Sequence, residues 1–164
     1  SYQQALRPFV ESGGMGLLRS ADQVVDQRER LKFARERHKA VKETLKDASG
    51  RLELRLAATG VDRSKWVAMH ASAVARLADP LLLQVQEVEG ELLRQMDDHL
   101  ASLQRLAGRW TLRGDSIEFE PGVGDGEIKA FNQRVSLMQM LAKQQTQMQA
   151  KILEQEHRRR ASGK

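Results

Sequence analysis

Residues 20–59 read SADQVVDQRERLKFARERHKAVKETLKDASGRLELRLAAT, and within them Val24, Leu31, Ala34, His38, Val41, Leu45, Ala48 and Leu52 recur at heptad-like steps of three and four. Side chains spaced this way fall on one side of an α-helix and make a seam. The repeat holds for about four heptads, which at about 1.5 Å per residue implies a rod of roughly 55–60 Å. Such a rod needs a partner along its seam, and later stretches of the same chain can supply one. The fold expected is all-α, with the chain folding back along this helix.

Composition points the same way. At 164 residues the chain is long enough for one domain with its own core. Charged residues make up 30% and aromatics only 4%, a mixture typical of long helices rather than of sandwiches or barrels. No apolar run approaches the roughly 18–20 residues of a membrane span; the longest is Pro80-Leu81-Leu82-Leu83. The absence of cysteine excludes disulfides, thiolate metal sites and a Cys nucleophile, and leaves the redox compartment open. The chain opens Ser1-Tyr2-Gln3 without an initiator Met, so the native N-terminus is expected upstream, where a signal peptide or lipid-anchored Cys could stand.

Residues 1–19 hold one apolar cluster, Leu6, Phe9 and Val10, interrupted by Pro8 and followed by Gly-rich loop chemistry, and read as a short cap or mobile segment. Ser20 with Gln23 forms a capping-box pattern that opens the first helix, 20–59. Gly50, inside the periodic pattern, marks a kink or a close helix approach. Thr59-Gly60 stops this helix and Asp62-Arg63-Ser64 caps the next, so the two are antiparallel neighbours. The second helical region, 64–107, presents Trp66, His70, Ala73 and Leu77 on one side. It breaks near 80, where Asp79-Pro80 reads as a restart, and then carries Leu81, Val85, Val88, Leu92, Met96, Leu100 and Leu103.

Between the helices, Trp110-Thr111-Leu112-Arg113 and Ser116-Ile117-Glu118-Phe119 flank Gly114-Asp115, a two-residue turn with Gly first. The register predicts Leu112 facing Ile117 and Trp110 facing Phe119, with all four on one face of a β-hairpin at 110–119. A lone hairpin is marginal in water, so that face should close over the helices. The last helix, 126–158, carries Ile128, Phe131, Val135, Met138, Leu141, Met148 and Ile152, turns Gln-rich past Leu141, and ends in a frayed basic tail. The architecture expected is a single domain, an elongated antiparallel three-helix, coiled-coil-like bundle with a small β-hairpin insertion before the last helix.

Two surfaces stand out. Arg28, Lys32, Arg35, Lys39, Lys42 and Lys46 form a cationic stripe beside the seam, suited to phosphates of nucleic acid or anionic lipid, and the sequence pI is about 9.8. The stretch 79–98 is acidic, with Asp79, Glu87, Glu89, Glu91, Asp97 and Asp98 opposed only by Arg94, so charge complementarity within the chain competes with that reading. The second surface is Met138, Leu141, Met148, Ile152 and Leu153, an apolar stripe on the last helix that can meet a second copy or a partner helix. Four histidines, His38, His70, His99 and His157, and a Glu-x-x-His at Glu154 and His157 lack the second copy and further glutamates of a di-iron bundle. His38 sits on the seam and reads as structural. Arg113-Gly114-Asp115 matches the integrin-binding tripeptide, yet turn chemistry alone explains it. No nucleophile elbow or phosphate-binding loop is present, so neither cofactor nor metal is expected.

The segment from Trp110 to Ile152, with an aromatic residue, a Gly-containing turn, Ile117-Glu118-Phe119, and Phe131-Asn132 opening a Gln-rich helix, resembles the C-terminal part of small helical bacterial envelope lipoproteins of uncharacterised function. The resemblance implies a periplasmic, membrane-tethered helical protein, without known activity and without functional residues to carry over. The expectation is a non-enzymatic structural or protein-interaction module of a bacterial envelope, working through a protein partner or as a homo-oligomer. The alternative is a polyanion binder acting through the basic face of residues 28–46.

Overall fold

Short polar residues set the helix boundaries. The computed structural model describes residues 22–77, 79–114 and 116–162, which form α1 (Gln23–Ala58), α2 (Arg63–Leu77), α3 (Pro80–Arg105) and α4 (Asp125–Ser162), with a hairpin of β1 (Trp110–Arg113) and β2 (Ser116–Phe119). Asp62 accepts hydrogen bonds from the backbone N–H and hydroxyl of Ser64, both at 2.8 Å, and opens α2. Asp79 caps α3 by accepting from the Leu81 N–H at 2.9 Å, with Pro80 in the first turn where its missing N–H costs nothing. The region expected as one broken helix is thus two helices, α2 and α3. Ser20 of the expected capping box lies outside the described residues, as does the 1–19 segment; α1 begins with Asp22 at its N-cap, whose side chain makes no capping hydrogen bond.

Of the kink or close helix approach expected at Gly50, the close approach is not found there. α1 runs through it, and a Cβ built there would meet nothing within 4 Å. The close helix approach is instead at Gly90 of α3, where a Cβ would stand 3.1 Å from Cε1 of His38. At the other end, α4 continues past the expected frayed boundary to Ser162. An Arg158–Glu154 pair one turn apart at 2.5 Å and the Ser162 hydroxyl bonded to the Arg158 carbonyl support those last turns.

α3 is the most amphipathic of the four helices and lies at the centre, packed by both α1 and α4, while α2 packs on α1. Side-chain bonds fix the directions. Arg28 reaches Gln104 and Asp97, whereas His38, ten residues later, reaches Gln86, so α1 and α3 are antiparallel. Arg134 reaches Ser102, Gln145 reaches Glu89 and Arg159 reaches Asp79, so α4 is antiparallel to α3 as well. α1 and α4 therefore run the same way, and α4 brings its end to the first turn of α3.

The hairpin has the expected register, Trp110 opposite Phe119 and Leu112 opposite Ile117. Gly114 takes a φ of +59°, a turn conformation that a side chain would strain. Asp115 lies outside the described residues. The apolar face covers the end of the core: the Trp110 indole N–H donates to the Leu103 carbonyl at 2.8 Å, and Phe119 meets Phe131 edge-on at 5.0 Å. One continuous core joins Val24, Leu31 and Ala34 of α1, residues Leu92 to Leu103 of α3, Leu106, Trp110 and Val123, and Phe131, Met138 and Leu141 of α4.

Candidate functional site

The core stops at a polar layer. Seven-residue steps from core positions lead to it on α1, α3 and α4: His38 follows Leu31, Glu89 precedes Met96, and Gln145 follows Met138. Glu89 is 6% exposed, accepts from the Gln145 side-chain amide at 2.7 Å and from the Gln86 amide at 3.4 Å, and has the His38 Nε2 at 4.0 Å. His38 Nε2 donates to the Gln86 carbonyl at 3.0 Å, which fixes the proton on that nitrogen. Gly90 leaves the room that the imidazole occupies. A buried carboxylate is tolerated here because donors from two helices converge on it.

The two sides of this layer differ. On the hairpin side lies the closed apolar core. On the far side, no described side chain of α1 after Ala34 and none of α4 after Leu141 is buried. Of the exposed large apolar side chains among the described residues, Val41, Leu54, Val61, Val67, Met69, Leu83 and Leu153 lie beyond the layer, against Val25, Phe33 and Met140 on the core side. α2 carries the largest buried residue of that far half, Trp66, whose indole N–H donates to the Val61 carbonyl and whose ring meets His70 edge-on at 5.8 Å.

A second buried polar group sits inside the core. His99 is fully buried, packs at 4.5 Å on Phe131, and neither ring nitrogen has a hydrogen-bond partner among the described residues. Burial, reinforced by the Arg134 guanidinium, pushes its pKa down to about 4, so the ring is neutral at physiological pH.

The expected site residues fall into different places. Met138 and Leu141 are 1% and 7% exposed and belong to the chain's own core, so this fold does not offer them to a partner. Met148 and Ile152 are half-buried, and Leu153 is exposed. On the cationic stripe, Arg28 and Arg35 share one carboxylate, Asp97, at 3.2 and 2.7 Å, which is the charge complementarity expected between the basic and acidic stretches. Lys32, Lys39 and Lys42 are exposed, and the Lys46 side chain lies outside what is described. Arg94 holds Glu91 and Asp98 on its own helix, lowering the Glu91 pKa chiefly through its hydrogen bond. Arg113 of the tripeptide pairs with Glu118 across the hairpin at 3.1 Å.

Among the described residues, no group of three or more His or carboxylate side chains is placed to hold a metal ion. The hollow found on α4, lined by Asp125, Ile128, Lys129, Asn132, Gln133 and Ser136, is an open surface groove. From sequence, Glu89 was read only as part of the acidic stretch and Gln145 only as part of the Gln-rich end of the last helix, and Gln86 and Gly90 were not singled out. For Glu89 and Gln145 a signal was available, since each is a polar residue one heptad from a core methionine. No described helix is long and apolar enough to cross a membrane. No family model, curated protein or solved structure matches the chain.

Proposed function

We propose that this protein is a non-enzymatic helical interaction module, an elongated antiparallel arrangement of α1, α3 and α4 whose hairpin-capped half is a scaffold and whose far half meets a protein partner. The asymmetry of exposed apolar side chains carries the reading. Among the described residues, seven of the ten large ones lie beyond the polar layer, in the half that buries least. Interaction surfaces draw on such residues, while a closed core supplies rigidity. The bacterial envelope implied by the resemblance of Trp110–Ile152 is the setting we infer for it.

The test is a photo-crosslinking side chain placed singly at Leu54, Met69, Leu83, Val25 or Phe33 of the full chain in its native cell. Crosslinks to one defined protein, or to a second copy, from the first three positions and not from the last two are the expected result. Equal labelling from all five, or none, overturns the reading. Polyanion binding through residues 28–46 has in its favour the exposed Lys32, Lys39 and Lys42. Against it stands the engagement of Arg28 and Arg35 with Asp97. A mobility shift that falls steeply between two salt concentrations, and that Asp97→Asn strengthens by freeing both arginines, would favour it instead.

A further inference from the structure

The two halves of α4 are held in different ways. Up to Leu141 the helix gives Phe131, Met138 and Leu141 to the core. From Ala142 to Ser162 its described side chains are half-buried at best, namely Ala142, Gln145, Met148, Gln149 and Ile152. Among the described residues, hydrogen bonds from Gln145 to Glu89 at 2.7 Å and from Arg159 to Asp79 at 3.4 Å tie this stretch to α3, the second between partly exposed groups. Releasing the stretch therefore gives up little apolar burial. It also returns Glu89 to water, recovering the desolvation cost of a buried carboxylate.

We propose that α4 beyond Leu141 is a strap that opens independently of the hairpin-capped core, with Gln145 on Glu89 as its latch. The residues of the strap are good helix formers, so it lifts as a helix, but a lone helix of this length frays in water and its amides then exchange. Opening uncovers the first turns of α3 beside Glu89, where Leu81 and Leu82 are already half-buried rather than enclosed. The core from Leu92 to Leu103 stays shut because Phe131, Met138, Leu141 and the hairpin remain in place. The device goes beyond the partner reading and operates with or without a partner.

Hydrogen exchange on the full chain, read by mass spectrometry, tests it. Amides of residues 143–157 should exchange about tenfold or more faster than those of residues 127–141, although both belong to one helix. Gln145→Glu, at about pH 8, sets a second carboxylate against Glu89 and should accelerate 143–157 by a further tenfold or so while leaving 127–141 unchanged. The double variant Glu89→Leu with Gln145→Leu should slow 143–157 towards the rate of 127–141. Equal protection of the two segments in the natural sequence overturns the proposal. So does acceleration of both segments together in Gln145→Glu, or no acceleration of either. Because Gln145→Glu preserves size and helix propensity, failure of the double variant to fold would itself count against a latch whose replacement should close the strap.

Discussion

Protonation of His99 is opposed by its surroundings at every side the structure shows. Phe131 packs on it, Arg134 would face the imidazolium with like charge, and among the described residues no carboxylate pairs with the ring. Its pKa falls from 6.5 to about 4 in the folded chain, so between those values the unfolded chain binds a proton that the folded chain refuses. Stability is therefore fully present above the unfolded value and declines as pH falls towards 4, by about 3 kcal/mol in all at roughly 1.4 kcal/mol per unit. Denaturant unfolding at pH 7 and pH 4.5 should show most of that loss, and His99→Leu should flatten it. If the slope survives the substitution, another group is responsible. Two glycines make a paired experiment on the same scale. Gly50→Ala enters open space on a regular helix and should stabilise by about 0.5–1 kcal/mol. Gly90→Ala should gain less or destabilise, because its Cβ crowds the His38 ring that the Gln86 carbonyl holds, and His38→Ala should restore the gain.

Among the elements, the hairpin was the most legible in sequence because turn chemistry is local. Gly114 sets the turn, and strict alternation sets the register, so Trp110, Leu112, Ile117 and Phe119 could be placed on one face before any tertiary contact was known. Asp79-Pro80 and Asp62-Arg63-Ser64 were legible for the same reason. The polar layer was not, since period alone does not say where a seam stops being apolar. Glu89 and Gln145 resemble surface residues until three helices bring them together. The direction of the last helix was equally hidden, because it depends on where the hairpin docks. That docking gives a prediction. Trp110→Ala should cost about 3–5 kcal/mol by emptying a core position, and Trp110→Phe about 1 kcal/mol by orphaning the Leu103 carbonyl, both measured by chemical unfolding. A hairpin that served only as a linker would tolerate either change.

At the scale of the whole molecule, charge and packing divide the labour. Arg28 and Arg35 on Asp97, and Arg159 on Asp79, set which ends of the helices meet, while the apolar residues between Val24 and Leu141 supply the burial. The ion pairs are partly exposed and are worth little each, so their contribution lies in pairing basic with acidic helices rather than in raw stability.

The shared direction of α1 and α4 has a mechanical consequence. Val24 joins the cluster that contains Leu106 and Trp110, whereas Arg159 reaches Asp79, so α1 starts at the hairpin end of α3 and α4 finishes at the opposite end. Since α3 alone spans about 39 Å at 1.5 Å per residue, the start of α1 and the end of α4 lie about that far apart when α4 is seated. A pull applied between the start of α1 and the end of α4 would therefore act along the helices rather than across them. Fluorophores on cysteines introduced at Asp22 and Ser162, in a chain with no native thiol to compete, should report a separation of about 40 Å or more by energy transfer. High transfer efficiency, placing the two labels side by side, would show that α4 does not run the length of α3.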